Sequence, residues 1–205
     1  MTETTYIPAM GRHWMLFLYD PVTRLAGLPR VHDQLLDRAA VRPGHQVLEI
    51  GCGPGDLLLR LARRTPDAPA TGIDPDPAAL RRARRKAGRA GLTVRFEHAY
   101  AAGLPLPDGS VDRVLSSYMF HHLDAAGKVA ALREVARVLR PGGELHLVDA
   151  DGTGRTSPLL AGNVPARVLA AMRDAGLSDP AETGRGRRAG PLGSYVFYQA
   201  CRAGA

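Results

Sequence analysis

From Val47 to Val148, short apolar runs alternate with stretches of helical periodicity, the pattern of βαβ units that build a parallel sheet. Val47-Leu48-Glu49-Ile50 has the length and character of a buried strand. It runs into Gly51-Cys52-Gly53-Pro54-Gly55, after which residues 56–62 read as a helix. Ala70-Thr71-Gly72-Ile73-Asp74 predicts a second strand, and residues 77–88 a helix with Asp76 as its cap. Residues 93–97 alternate as a third strand; after the turn residues Pro105, Pro107, Asp108 and Gly109, residues 112–116 form a fourth. Apolar positions at helical spacing continue over 125–139 until Pro141-Gly142-Gly143 stops the helix ahead of a fifth strand, 144–148. The last quarter is less regular: 164–175 reads as a helix ending at Gly176, 194–200 as a final β-rich strand, and 183–193, with Gly, Arg and Pro and no periodicity, as a hairpin loop. Ahead of the sheet, 31–39 reads as a helix and 13–18 is apolar and aromatic. Residues 1–43 are therefore expected to be an N-terminal helical lid segment, and residues 44–205 the sheet domain.

Composition changes this picture little. A chain of 205 residues with 45% apolar content is one domain with a real core. The N-terminus carries an acidic residue and lacks a basic start followed by an apolar run, and no apolar stretch approaches bilayer length, so a cytoplasmic protein is expected. Cys52 and Cys201 are far apart and without ligand spacing, which argues against a disulfide framework or a zinc site. The net charge of +7 points to an acidic partner. Lysine, however, occurs only at Lys86 and Lys128, and so much arginine in a chain rich in Ala, Gly and Pro is also what a GC-rich coding bias produces.

The glycine-rich turn between a strand and a helix brings backbone close to a ligand, because glycine lacks a Cβ and tolerates positive φ. Asp74 ends the next strand, some twenty residues on, where a carboxylate can accept hydrogen bonds from both hydroxyls of a ribose. The plainer role for Asp74, capping the following helix, is contested by Asp76. Together, turn and acid point to a nucleoside-bearing ligand.

The string Val47-Leu48-Glu49-Ile50-Gly51-Cys52-Gly53-Pro54-Gly55 resembles motif I of the class I S-adenosylmethionine-dependent methyltransferases. Leu104-Pro105-Leu106-Pro107-Asp108-Gly109-Ser110-Val111-Asp112 and Leu139-Arg140-Pro141-Gly142-Gly143 are similar to two further segments of the ubiquinone and menaquinone methyltransferase-like (type 11) subgroup. The resemblance covers roughly residues 44 to 150. It implies a Rossmann-like, seven-stranded, mostly parallel sheet with the last strand antiparallel and helices on both faces. It also implies S-adenosyl-L-methionine as cofactor, with the loop around its methionine part, Glu49 supporting the ammonium end and Asp74 the ribose. The cofactor set it suggests is completed by Tyr19, Cys52, Pro75, Tyr100, Ala101, Ser116 and His121. One departure stands out: where the subgroup has a G-D-A string that meets the adenine amino group, this chain has Ala99-Tyr100-Ala101. A phenol ring can stack on a purine but cannot replace a carboxylate, so Tyr100 is expected to line the adenine site through its ring.

Ser116-Ser117-Tyr118-Met119-Phe120-His121-His122 follows the fourth strand and lies at the carboxyl edge, where open α/β sheets bind ligands. His121 and His122 are candidate general bases; as neighbours on a helix only one would point inward. The plainer reading of either is packing. Asp149 and Asp151 end the fifth strand at the same edge and could orient a substrate or act as base, but two carboxylates are a thin metal site. The motifs of DNA-base methylation are missing, which argues against a nucleic-acid substrate and for a small or lipid-like acceptor. Arg81, Arg82, Arg84, Arg85 and Arg89 crowd one helix over more than one face, without interleaved aromatics, and read as solvation. Two rivals remain: a nicotinamide-dependent oxidoreductase, which would show a third glycine where Asp56, Leu57 and Leu58 stand, and a non-catalytic cofactor-binding regulatory module. The oligomeric state is not legible.

Overall fold

The computed structural model describes residues 27–153, 158–187 and 193–204. In chain order the elements are α1 (Leu28–Ala39), β1 (Val47–Ile50), α2 (Asp56–Arg64), β2 (Ala70–Asp74), α3 (Pro77–Ala90), β3 (Arg95–His98), β4 (Val111–Ser117), a 3-10 turn (Phe120–His122), α4 (Ala125–Val138), β5 (Leu139–Ala150), the single turn α5 (Pro158–Ala161), α6 (Pro165–Asp174), β6 (Ser178–Arg187) and β7 (Ser194–Cys201). The expected lid residues 1–26, with Met15, Phe17 and Tyr19, lie outside the described residues.

The seven strands form one sheet in the order β3-β2-β1-β4-β5-β7-β6. The first five pair in parallel, and β7 runs antiparallel to both β5 and β6. The winding reverses between β1 and β4, and that switch point opens a crevice at the carboxyl ends of the strands. On one face α1, α2 and α3 bury Leu35, Leu57, Leu58, Leu61, Leu80 and Ala83; on the other, α4 and α6 bury Leu132, Val135, Val138, Val168 and Met172. Truncating one such leucine to alanine costs about 2–5 kcal/mol, so the two-sided core fixes the strands whose ends carry the site.

Local chemistry sets the element ends. Asp76 Oδ1 accepts from Ala78 N (2.8 Å) and caps α3, and Asp124 Oδ1 does the same for α4 through Gly127 N (2.7 Å). The stretch Leu104–Asp112 is held by Arg137 of α4, which donates to Leu104 O (3.0 Å), Leu106 O (2.8 Å) and Asp108 Oδ1 (2.6 Å) while paired with Glu134 (2.8 Å).

Three expectations need correction. Residues 183–187, read as hairpin loop, belong to β6; this edge strand has no buried apolar side, so alternation could not reveal it. The fifth strand starts at Leu139, and Pro141-Gly142-Gly143 is a bulge within it rather than a gap before it: pairing jumps from Val111↔Leu139 to Arg113↔Glu144, and Gly142 N donates to Arg202 O (2.9 Å). His121 and His122 sit in a 3-10 turn, not an α-helix. Their rings lie against each other, with centroids 4.2 Å apart and planes inclined by 35°, so they do not point apart.

Candidate active site

The glycine loop is built by backbone needs. Gly51, Gly53 and Gly55 all have positive φ (68°, 50° and 80°). At Gly51 a Cβ would meet Met119 Cγ at 2.1 Å, so the loop after β4 closes directly on the loop after β1. At Gly53 nothing lies within 4 Å of that position, leaving the backbone open to a ligand. Gly53 N donates to Asp74 Oδ2 (2.8 Å), and Asp76 N to Asp74 Oδ1 (2.8 Å). Asp74 thus ties the glycine loop to the turn after β2, and each oxygen keeps a lone pair for a hydroxyl. Burial is the main cause raising its pKa, against those two backbone donors.

Glu49, the last acid before the glycines, is 3% exposed. Burial, with the charges of Asp56 and Asp74 adding to it, pushes its carboxyl well above the usual carboxylate range; the Leu58 backbone opposes. Its Oε2 has no hydrogen-bond partner among the described residues. An unmet carboxylate oxygen beside two more carboxylates is suited to a cation, and the ammonium and sulfonium of S-adenosylmethionine are such groups. The residues present therefore fit that cofactor.

Other members of the expected set fall in different places. Cys52 turns toward β2, where a Cβ on Gly72 would meet its Sγ at 2.9 Å, and burial pushes its thiol pKa up. Pro75 O accepts from His98 Nε2 (3.1 Å), and the Tyr100 ring, 47% exposed, stands edge-on to His98 at 6.1 Å. Ala101 is half-buried in the turn beside it. Ser116 is fully buried on β4, its Oγ without a partner among the described residues. Met119 and His98 escaped the sequence reading. No sequence signal marks the first, which shows only in its approach to Gly51; the end of β3 would have hinted at the second.

Across the crevice, Asp149 at the end of β5 accepts from both His121 N (2.9 Å, to Oδ2) and His121 Nδ1 (2.5 Å, to Oδ1), and its Oδ1 also accepts from Ala150 N (2.6 Å). This fixes the His121 ring with Nδ1–H toward the carboxylate and Nε2 as its acceptor side. His122 lies against that ring, its plane tilted by 35°. Burial and the neighbouring His121 lower its pKa to about 4, so it is neutral at pH 7. Behind the pair, Lys128 Nζ donates to Gly162 O (3.0 Å) and Asn163 Oδ1 (3.2 Å), and Asn163 Nδ2 to Ala150 O (2.5 Å). Asp151 stands apart, its Oδ1 accepting from Thr153 N (2.9 Å) and its Oδ2 4.0 Å from Arg185.

Residues 47–143 match the family described as methyltransferase domain. A demethylmenaquinone methyltransferase of Thermus thermophilus is 39% identical over 134 residues, 64% of this chain and 60% of that protein. A 27-O-demethylrifamycin SV methyltransferase of Amycolatopsis mediterranei is 39% identical over 122 residues, 58% of this chain and 44% of its own. The chain thus matches about half the length of these relatives. Among solved structures, the 4+2 cyclase SpnF superposes with a TM-score of 0.73 at 22% identity, over 86% of this chain and 82% of that one, and so shares the fold. Residues 47–143 match the methyltransferase-domain family in sequence, and the strand order and glycine loop agree with that match.

Proposed function

We propose that this protein transfers a methyl group from S-adenosylmethionine to a small or lipid-like acceptor. The observation that carries the reading is the glycine loop held by Asp74 beside a buried Glu49 whose Oε2 lacks a partner among the described residues. Relatives named for demethylmenaquinone and for 27-O-demethylrifamycin SV support an organic, non-nucleic-acid acceptor. When bound, the cofactor supplies an electrophilic methyl on a sulfonium, poised for in-line displacement.

The protein's own share is orientation and exclusion of water. Glu49 takes the ammonium end, Asp74 the ribose hydroxyls, the open backbone at Gly53 the methionine part, and Tyr100 with Pro75 and Ala101 the adenine side. The His121–Asp149 pair acts at the acceptor: Nε2 takes the proton of a hydroxyl acceptor during methyl transfer, or that of an ammonium acceptor beforehand so that its lone pair is free, and Asp149 stabilises the ring that then carries charge. His122 is the packing partner, since a group with a pKa of about 4 is a poor proton store at pH 7.

Calorimetry with S-adenosylhomocysteine tests the reading. Asp74→Ala removes both the ribose acceptor and the tie to Gly53, and should weaken binding by about 2 kcal/mol or more. Binding of a nicotinamide dinucleotide with no binding of S-adenosylhomocysteine would overturn it.

A further inference from the structure

The arginine-rich helix α3 is part of a larger feature. With the cap Asp76, helices α1, α2 and α3 carry eleven basic and four acidic side chains, a net of +7 that equals the charge of the whole chain. All three pack on the same face of the sheet. The opposite face, formed by α4 with its cap Asp124 and by α6, carries five basic and three acidic groups. Arginine occurs on both faces, as a coding bias would leave it, but the excess of base over acid is +7 on one face and +2 on the other. Residues 1–26 hold two acids and two bases and cannot neutralise that face.

The acids of the basic face are already used. Asp33 pairs with Arg60 (3.0 Å), Asp37 with Arg64 and Asp56 with Lys86. Among the described residues, Arg63, Arg81, Arg85 and Arg89 have no carboxylate in ion-pair range, and all four are exposed. Between the three helices lies a cleft of about 300 Å³ lined by Arg60, Arg63, Lys86 and Arg89, by one carboxylate, Asp56, and by Leu28 and Leu59. Four cationic side chains against one carboxylate, beside buried leucines, match a phosphate joined to a glycerol and acyl chains. A nucleic acid offers phosphate without that apolar part, and the three helices contain no Phe, Tyr or Trp on which bases could stack.

We propose that the α1–α2–α3 face docks the protein on an anionic lipid bilayer, with a lipid headgroup phosphate seated in the cleft. Attraction of this kind is carried by each Lys or Arg near the surface and is screened by salt. The proposal does not depend on the methyl acceptor, so either can fail alone.

The test is co-sedimentation of the full chain with vesicles of phosphatidylcholine and of an equimolar mixture with phosphatidylglycerol. The wild type should partition at least about tenfold more strongly to the anionic vesicles, and lose the preference in ~0.5 M salt. R85E/R89E should lose about tenfold or more, R85Q/R89Q a smaller part, and R133E/R173E, with the same net charge but altered on the opposite face, should stay near wild type. Thermal melting of each variant at the wild-type temperature confirms that the change is at the surface. Equal losses in R85E/R89E and R133E/R173E, or no preference of the wild type for anionic vesicles, would overturn the proposal. So would duplex DNA displacing the protein from vesicles at equal phosphate, which would hand the face to nucleic acid.

Discussion

At the scale of single residues, Glu49 carries the sharpest consequence. A carboxyl whose folded pKa is raised stabilises the fold below its unfolded pKa and loses that stability as pH rises through the folded value. Without ligand, then, Glu49 opposes folding increasingly above the ordinary glutamate value of 4.5. Glu49→Gln should melt at a higher temperature than wild type at pH 8 without ligand, with the gap closing toward pH 4.5, and yet bind S-adenosylhomocysteine more weakly at every pH above neutrality. Thermal scans across pH with and without the ligand check both halves. A uniform destabilisation would mean that Glu49 is held by a partner it lacks here. His122 moves in the opposite sense. Its folded pKa lies below its unfolded value of 6.5, so it contributes stability above pH 6.5 that is lost as pH falls toward about 4. NMR of the imidazole should show one ring still neutral at pH 5, and His122→Gln should flatten the stability profile between those limits. In turnover the two histidines should separate: His121→Ala lowers kcat far more than cofactor affinity, and His122→Gln leaves both near wild type. Much of this was readable beforehand. Asp74 and the glycines stand out by spacing and Glu49 only through the family resemblance, whereas the pairing of His121 with Asp149, 28 residues apart, depends on two strands lying side by side.

At the scale of elements, the contact between β2 and the glycine loop is the tight joint. A Cβ on Gly72 would meet Cys52 Cβ, Cys52 Sγ and Leu58 Cδ1, each at 2.9 Å, so β2 would have to part from α2 and from the glycine loop. Gly72→Ala should cost about 1–3 kcal/mol in chemical denaturation, and Cys52→Ala in the same chain should recover a part of it, because it removes Sγ, one of the three atoms in the way, while Cys52 Cβ and Leu58 Cδ1 remain. Additive losses would place the strain elsewhere. Five parallel strands and the main helices are legible from apolar periodicity because each buries a face. β6 was not, because an edge strand reading Ser-Asp-Pro-Ala-Glu-Thr-Gly-Arg-Gly-Arg is held by backbone pairing to β7 and by almost no side-chain burial. The Pro141-Gly142-Gly143 bulge was misread as a break for a related reason. Proline and glycine mark a departure from regular pairing, and only the neighbours Arg202 and Val111 decide that the strand goes on beyond it.

At the scale of the molecule, the sheet divides its labour. The switch between β1 and β4 gathers the glycine loop, Glu49 and Asp74 on one side of the crevice, and the end of β5 supplies Asp149 and, through it, His121 on the other. The basic helices lie on a separate face, away from the opposite layer of α4 and α6. Fold alone does not fix chemistry, since a cyclase shares this architecture, so the decision belongs to turnover. The measurement that addresses it is transfer of a labelled methyl group from S-adenosylmethionine into a panel of small hydroxyl, amine and lipid-like quinol acceptors, with S-adenosylhomocysteine counted in the same reaction. Label should appear in at least one acceptor in step with S-adenosylhomocysteine and fall sharply in Asp74→Ala and His121→Ala. Tight binding of S-adenosylmethionine with no label reaching any acceptor would contradict the enzyme and leave a binding module in its place.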